Sequence, residues 1–268
     1  MKDYSPDQTG QELLRQEDHD RFLVTLFLPK EMVVRVAPLY ALNAELAKTR
    51  RVVSEPALGE IRLQWWVDAL EGAFAGHAPP HEIGEALLAV IAEGKLQKDD
   101  LLALVEAYRE ELYEPPLESV SEFTHHAFFT GGRIEILVAQ ALDGSYDAIS
   151  AAQAVGTTWA VLSMLRALPG RRQQGWDYLP QDALVANDGN EAAVIEAMLK
   201  GTLEQMQLSM RTEPSGPIQA LKPHRLLATL AQCYGTTIRK AGYDVASTNF
   251  ERGTLWRFIR LMAASMRR

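Results

Sequence analysis

The chain has 268 residues, of which 47% are hydrophobic and 23% charged, with a formal net charge of −8 and a single cysteine. That length buries a full core as one large or two small domains, and one is expected because Gly and Pro are scattered singly and mark no linker or disordered tract. The acidity excludes a general nucleic-acid binder, while the lone Cys233 excludes a disulfide framework or thiolate metal cluster and suits a reducing, cytoplasmic compartment.

Residues 1–18 are polar and acidic, carry no secretory or transit pattern, and read as a loose N-terminal segment of one domain spanning 1–268. No apolar run approaches the ~20 residues of a membrane span. From there on the hydrophobic period is helical, with no internal repeat and almost no strand alternation. A short helix is expected from Asp20 to Leu28, stopped by Pro29. The next runs from about Lys30 to Arg50 with a kink at Pro38. On it Tyr40, Asn43, Ala47 and Arg50 share one face, and Glu31, Arg35, Glu45 and Thr49 another.

The stretch SEPALGEIRLQWWVDALEGAFAG is the expected organiser of the fold. Ser54 caps a helix from about Glu55 to Ala75, Pro56 suits its first turn and Gly76 stops it. Glu60, Gln64, Asp68 and Glu71 fall in one polar arc, and apolar residues take the remainder, so the helix is expected to be buried on most of its circumference. Arg62 lies inside that apolar part, where an isolated guanidinium is costly. It is expected either to form an ion pair, with Glu45 or Glu135, or to line a cavity with Trp66 that Gly59 lets a ligand approach.

Further helices are expected at Glu82 to Ala92, Asp99 to Tyr113, Val120 to Leu142, Asp147 to Leu168, Glu191 to Met210, Ile218 to Ala241 and Phe250 to Met266, with a loop from Pro169 to Asp182. This is an all-α fold, with buried central helices inside a ring of amphipathic ones. Gly131 and Gly132 interrupt the pattern at ~1 kcal/mol each, which implies close helix approach or a break beside a cavity.

Chemical motifs are scarce. The six histidines lack ligand spacing, so zinc is not expected, and His125 and His126 point to different faces as one solvated and one packed residue. There is no GxSxG, Walker or GxGxxG pattern. The acid clusters Asp18-Asp20, Asp99-Asp100 and Glu110-Glu111 read as solvated helix ends. An all-α prenyl-transferring enzyme needs acids one turn apart, as DxxxD or DDxxD, to bridge Mg²⁺ to a diphosphate, and that spacing is missing.

The layout nevertheless resembles the squalene and phytoene synthase family, through DRFLVTLFLP, PLYALNAELA and VLSMLRALPGRRQQGWDYLPQDAL. The resemblance implies an isoprenoid synthase fold, a helical bundle around a central cavity in which two prenyl diphosphates are joined head to head. The family's first acidic segment, laid on Leu39 to Leu42, puts its metal-binding acids at Ala47, Lys48 and Arg51. Its second segment fits Ala160 to Pro180, where Arg166, Gly175, Tyr178, Leu179 and Pro180 match, but its aspartates fall on Ala167 and Arg171. The family's aromatic pattern fits Phe123 to Thr130, with His125 where a tyrosine is expected. Positive charge at Lys48 and Arg51 repels a divalent cation, and direct binding of diphosphate by Arg50, Arg51, Arg62 and Arg166 is the remaining way to hold one.

NAELA followed by SEPALGEIRLQWWVDAL, with the aspartates gone, resembles the non-catalytic branch of that family known for the assembly of respiratory complex I. What the resemblance implies is a protein without catalytic residues or cofactor, which acts by binding a protein partner or an isoprenoid or lipid. Tyr40, Asn43, Arg50, Arg51, Arg62, Trp66 and Arg166 are its candidate cavity or ligand residues. The alternatives are a prenyltransferase, which would need Mg²⁺, and an isoprenoid or lipid carrier.

The terminal helix is basic in an acidic chain. Leu255, Trp256, Phe258, Ile259, Met262 and Met266 take one side, and Arg252, Arg257, Arg260, Arg267 and Arg268 the other. It is expected either to dock on the core with a solvated arginine face, or to meet the inner face of a membrane through Arg252, Trp256, Arg257 and Arg260.

Overall fold

A computed structural model describes residues 6–113, 117–211, 218–250 and 253–266. Every regular element among them is helical. In chain order these are α1 Pro6–Glu17, α2 His19–Leu26, α3 Lys30–Ala47, α4 Thr49–Val52, α5 Pro56–Phe74, α6 Gly84–Ala92, α7 Lys98–Glu110, α8 Val120–Ala127, α9 Arg133–Ala141, α10 Tyr146–Gln173, α11 Gln181–Ala186, α12 Glu191–Ser209, α13 Lys222–Lys240 and α14 Thr254–Ser265. The local signals are the ordinary ones. Asp18, Ser119, Ser145 and Asn190 accept hydrogen bonds from the first-turn backbone of α2, α8, α10 and α12, and Pro56 opens α5.

Helices α3 and α10 form the interior. α3 is buried from Val36 through Leu46 despite Pro38, and α10 lies against α9, α12 and α13. α10 runs through Pro169 to Gln173, well past Leu168, where the sequence places its end. Arg171 and Arg172 in its last turn favour this extension by facing the negative end of the helix dipole. By length and composition α10 is apolar enough to cross a bilayer, which sequence inspection passes over, yet 67% of its most apolar window is buried within the bundle.

The N-terminal expectation needs correcting. Residues 6–17 form a helix against α3, with Leu13 and Leu14 in the core, because Gly10 lets the two backbones close to a distance at which a Cβ would sit 3.3 Å from Ala37. The second correction concerns α5, which is buried along one stripe only. Gly59, Leu63, Trp66, Ala69, Leu70 and Ala73 pack inward, while Leu58, Ile61 and Trp65 face outward.

Between α8 and α9 the chain forms one π-helical turn, Phe128–Gly132. Its two glycines permit the approach of α10. A Cβ on Gly131 would stand 2.5 Å from the Ala160 Cβ, and one on Gly156 would stand 2.2 Å from the Gly131 carbonyl oxygen. The wide turn aims the next helix so that Glu135 points into the bundle.

Candidate functional site

At the centre Glu135 is completely buried. One of its oxygens accepts from Arg21 Nε at 3.3 Å and Nη2 at 3.1 Å, and the other from the Tyr40 hydroxyl at 2.8 Å. His224 Nε2 lies 3.1 Å from the Glu135 carbonyl oxygen and 3.3 Å from its carboxylate. Asp18 holds the far side of the Arg21 guanidinium at 3.0 Å. A buried carboxylate is tolerated only with this density of donors. Burial and the facing Glu135 carboxylate push the Tyr40 hydroxyl well above its ordinary value, so it remains a donor. Burial holds His224 below the usual histidine value, against the pull of Glu135.

A second cluster shares α2. The Asp20 carboxylate accepts from Arg166 Nη1 at 3.0 Å and from the Tyr234 hydroxyl at 2.9 Å. The Arg166 guanidinium stacks 3.9 Å over the Tyr234 ring, and Arg257 of α14 stacks on it at 4.7 Å. Asn43 faces α7, where it accepts from the Tyr108 hydroxyl at 2.9 Å.

The third cluster stands where the resemblance places metal-binding acids. Lys48 binds the Glu45 carboxylate and lies 3.5 Å from Glu17, Arg51 reaches Glu17 at 2.6 Å, and Arg62 reaches Glu45 at 2.5 Å, with His81 3.8 Å away. At the second motif, Ala167 offers no ligand and Arg171 stacks 5.0 Å over Trp176. Two alanines and three cations are not a donor set for Mg²⁺, which requires oxygen ligands, so these residues do not fit the ion the family employs. Among the described residues no group of three or more His, Cys, Asp and Glu side chains is placed to hold a metal.

The seven candidate cavity residues therefore fall into separate places. Tyr40, Asn43 and Trp66 are packed interior residues, Tyr40 and Trp66 at 0% and 1% exposure. Arg166 belongs to the Asp20 cluster. Arg51 and Arg62 sit at the α3 to α5 corner with 60% and 34% of their side chains exposed, each bound to a carboxylate of this chain. Arg50, on α4 beside them, is half-buried. Arg62 is thus not an isolated buried charge, and of its two expected partners Glu45 is the one it meets. Arg51, Arg62 and Arg166, expected to face a diphosphate, are each occupied by an acid.

Sequence reasoning missed Glu17, Arg21, His224 and Tyr234, and gave Glu135 and Asp20 other roles, a partner for Arg62 and a solvated helix end, where they bind Arg21 and Arg166. Asp20 is not a solvated helix end but a buried acceptor, and Glu111 likewise is buried enough to pair with His126 at 2.9 Å. His125 is exposed and stacks on Phe129, so the histidine pair divides as expected. The signal for Glu135 was present as a single acid in the apolar run RIEILVA, the same kind of signal that drew attention to Arg62.

The membrane-facing set is reordered. Arg257 is only 7% exposed and points inward, because its guanidinium finds the Tyr234 ring. Trp256 and Arg260 are exposed, and Arg252 lies outside the described residues. The helix docks through Leu261 and Arg257 and turns Leu255, Trp256, Ile259, Met262 and Met266 outward. An outward apolar face is what the membrane arrangement requires, whereas the inward Arg257 departs from both expected arrangements.

The chain is 29% identical over 176 residues to the mouse NADH dehydrogenase (ubiquinone) complex I, assembly factor 6, covering 65% of this chain and 53% of the relative. The rat counterpart is 30% identical over the same shares, and the Drosophila melanogaster homolog 26% identical over 69% and 57%. The chain thus spans about half the length of the curated relatives it matches. Among solved structures, a dehydrosqualene synthase in complex with ligand superposes with a TM-score of 0.74 at 14% identity, covering 97% of this chain and 95% of the other. The squalene synthase HpnC from Alicyclobacillus acidocaldarius gives a TM-score of 0.75 at 16% identity, covering 89% and 94%. At such identities the likeness establishes the fold alone. The sequence profile of squalene/phytoene synthase matches residues 14–260, and the chain belongs to that family.

Proposed function

We propose that this protein acts by binding rather than by prenyl transfer, and that it serves the assembly of respiratory complex I. One observation carries the reading. The positions of the metal-binding acids hold Ala47, Lys48 and Arg51, and the two cations are bound by Glu17 and Glu45 of the chain itself. A diphosphate entering here would have to displace internal carboxylates and would find no bridging cation, which removes several kcal/mol of assistance to its ionisation. The names of the mouse, rat and fly relatives supply the process.

The working place we assign is the cytoplasmic face of a membrane, with α14 as the contact. Leu255, Trp256, Ile259, Met262 and Met266 form an outward apolar stripe, Arg260 is exposed beside it, and the segment from Arg252 to Arg268 has five arginines and no acid.

The test is genetic. In cells lacking the chain, assembled complex I in membranes should fall at least several-fold, and should return with the wild-type gene. It should return equally with Arg166→Lys, a change that keeps the Asp20 contact and would cripple an arginine-held diphosphate site. Normal complex I in the deletion strain overturns the reading.

A further inference from the structure

Helix α5 leaves Leu58, Ile61 and Trp65 exposed at 50%, 68% and 36%. At ~100° per residue these positions lie within about 60° of one another, so they form a stripe rather than scattered exposures. A shallow groove of about 510 Å³ borders the stripe at Ile61 and Trp65 and is otherwise lined by Glu60, Gln64, Asp68 and Arg109. Trp65 is held in place edge-on against the buried Trp66, with ring centroids 4.9 Å apart. Such a preorganised aromatic at the edge of a groove is the usual anchor of a protein contact.

The rim is acidic. Arg109 is shared between Glu60 and Glu106, and Asp68 accepts only from Gln64, at 2.9 Å, among the described residues. Glu60 and Glu106 thus share one guanidinium, and Asp68 adds a third carboxylate to the same groove. An anionic lipid surface would be repelled by this edge, whereas α14 carries the opposite charge.

We propose that the α5 groove docks an amphipathic helix of a client protein. Apolar side chains at helical spacing would sit on Leu58, Ile61 and Trp65, with Lys or Arg against Asp68 and Glu106. This rests on the reading of the chain as a binding protein, and adds the docking surface and the chemistry of its partner.

The experiment places p-benzoylphenylalanine at Ile61 in the full chain, with Tyr146, 85% exposed on α10, as the control position. After irradiation in intact cells the adducts are sequenced. One helical segment of another protein, apolar at i, i+3/4, i+7 and flanked by Lys or Arg, is expected, with its yield falling at least ten-fold when Asp68→Lys is added. Adducts with a second copy of this chain, with an acid-flanked segment, or no stronger than at Tyr146 would overturn the proposal. In parallel, Ile61→Asp is tested in the deletion strain after its melting temperature is found unchanged. Failure to restore complex I supports the groove, and full restoration overturns it while leaving the assembly reading intact. If the deletion strain assembles complex I normally, the assembly reading fails and the cross-link alone decides the groove.

Discussion

The centre of the bundle and the outer faces of α5 and α14 have exchanged their usual residues. Inside, Asp20, Arg21, Glu135 and His224 are buried among hydroxyl and guanidinium partners, and outside, Leu58, Ile61, Trp65, Leu255 and Trp256 face solvent. Polar groups inside a protein need reciprocal partners, and the clusters around Glu135 and Asp20 supply them. Apolar groups outside need a covering surface, and the described residues leave these side chains exposed. The difference teaches that the inherited centre has become a cross-linked interior, and that the contacts left to be made are on the periphery.

The largest effect that would break this contrast is at Glu135. Glu135→Ala should destabilise the fold by ~3–5 kcal/mol, because it leaves the buried Arg21 with Asp18 alone and takes the acceptor from the buried Tyr40 hydroxyl, and Trp66→Ala should cost a similar ~3–5 kcal/mol through lost core volume. Chemical denaturation measures both, and a loss below ~1 kcal/mol at Glu135 would mean that water enters the centre. Acid should act in the same place. His224 is held below the ordinary histidine value by burial, and half-buried His81 shares the direction for the same cause. The unfolded chain therefore binds more protons than the folded one just below about pH 6.5, so stability is full above that value and is lost progressively below it, as pH falls toward and through the lower folded-state values. Melting temperatures from about pH 8 to pH 5 should decline below about pH 6.5, and His224→Gln should flatten the decline.

Smaller effects sharpen the other side. Arg62→Ala should cost only about 1 kcal/mol, because a third of the side chain is exposed and Lys48 still faces Glu45. Ile61→Ser and the pair Leu255→Ser, Trp256→Ser should change stability by no more than ~0.5 kcal/mol. The α14 pair should nevertheless abolish co-sedimentation with vesicles containing anionic lipid, and losses of stability instead would place these residues in the core.

Helical period made the all-α fold legible, together with the use of the Gly131-Gly132 pair, but the one cap expected, Ser54, is not used: α5 opens at Pro56 behind Glu55 with no side-chain cap hydrogen bond, and the caps that form, Asp18, Ser119 and Ser145, lie at helices for which no cap was read. Periodicity reports which face is apolar, not which face finds a neighbour, so α5 was expected to be buried on most of its circumference, and Arg257 was grouped with the solvated or membrane-facing arginines of α14. The direction of Arg257 depends on Tyr234 and that of Asp20 on Arg166, partners 23 and 146 positions away, and such pairings are set by packing that no single stretch encodes. Residues 1–18 lacked a periodic run long enough to signal α1, whose docking depends on Gly10 meeting Ala37. The candidate site was legible where residue type alone decides, as in the missing acids at Ala47, Lys48 and Arg51, and illegible where geometry decides.

The most direct test of the central claim is release of pyrophosphate and formation of hydrocarbon from farnesyl or geranylgeranyl diphosphate by the purified chain, with and without Mg²⁺. Neither product should rise above a heat-killed control in either condition. Turnover, above all turnover that depends on Mg²⁺, would contradict it and would return Arg51, Arg62 and Arg166 to the reacting site.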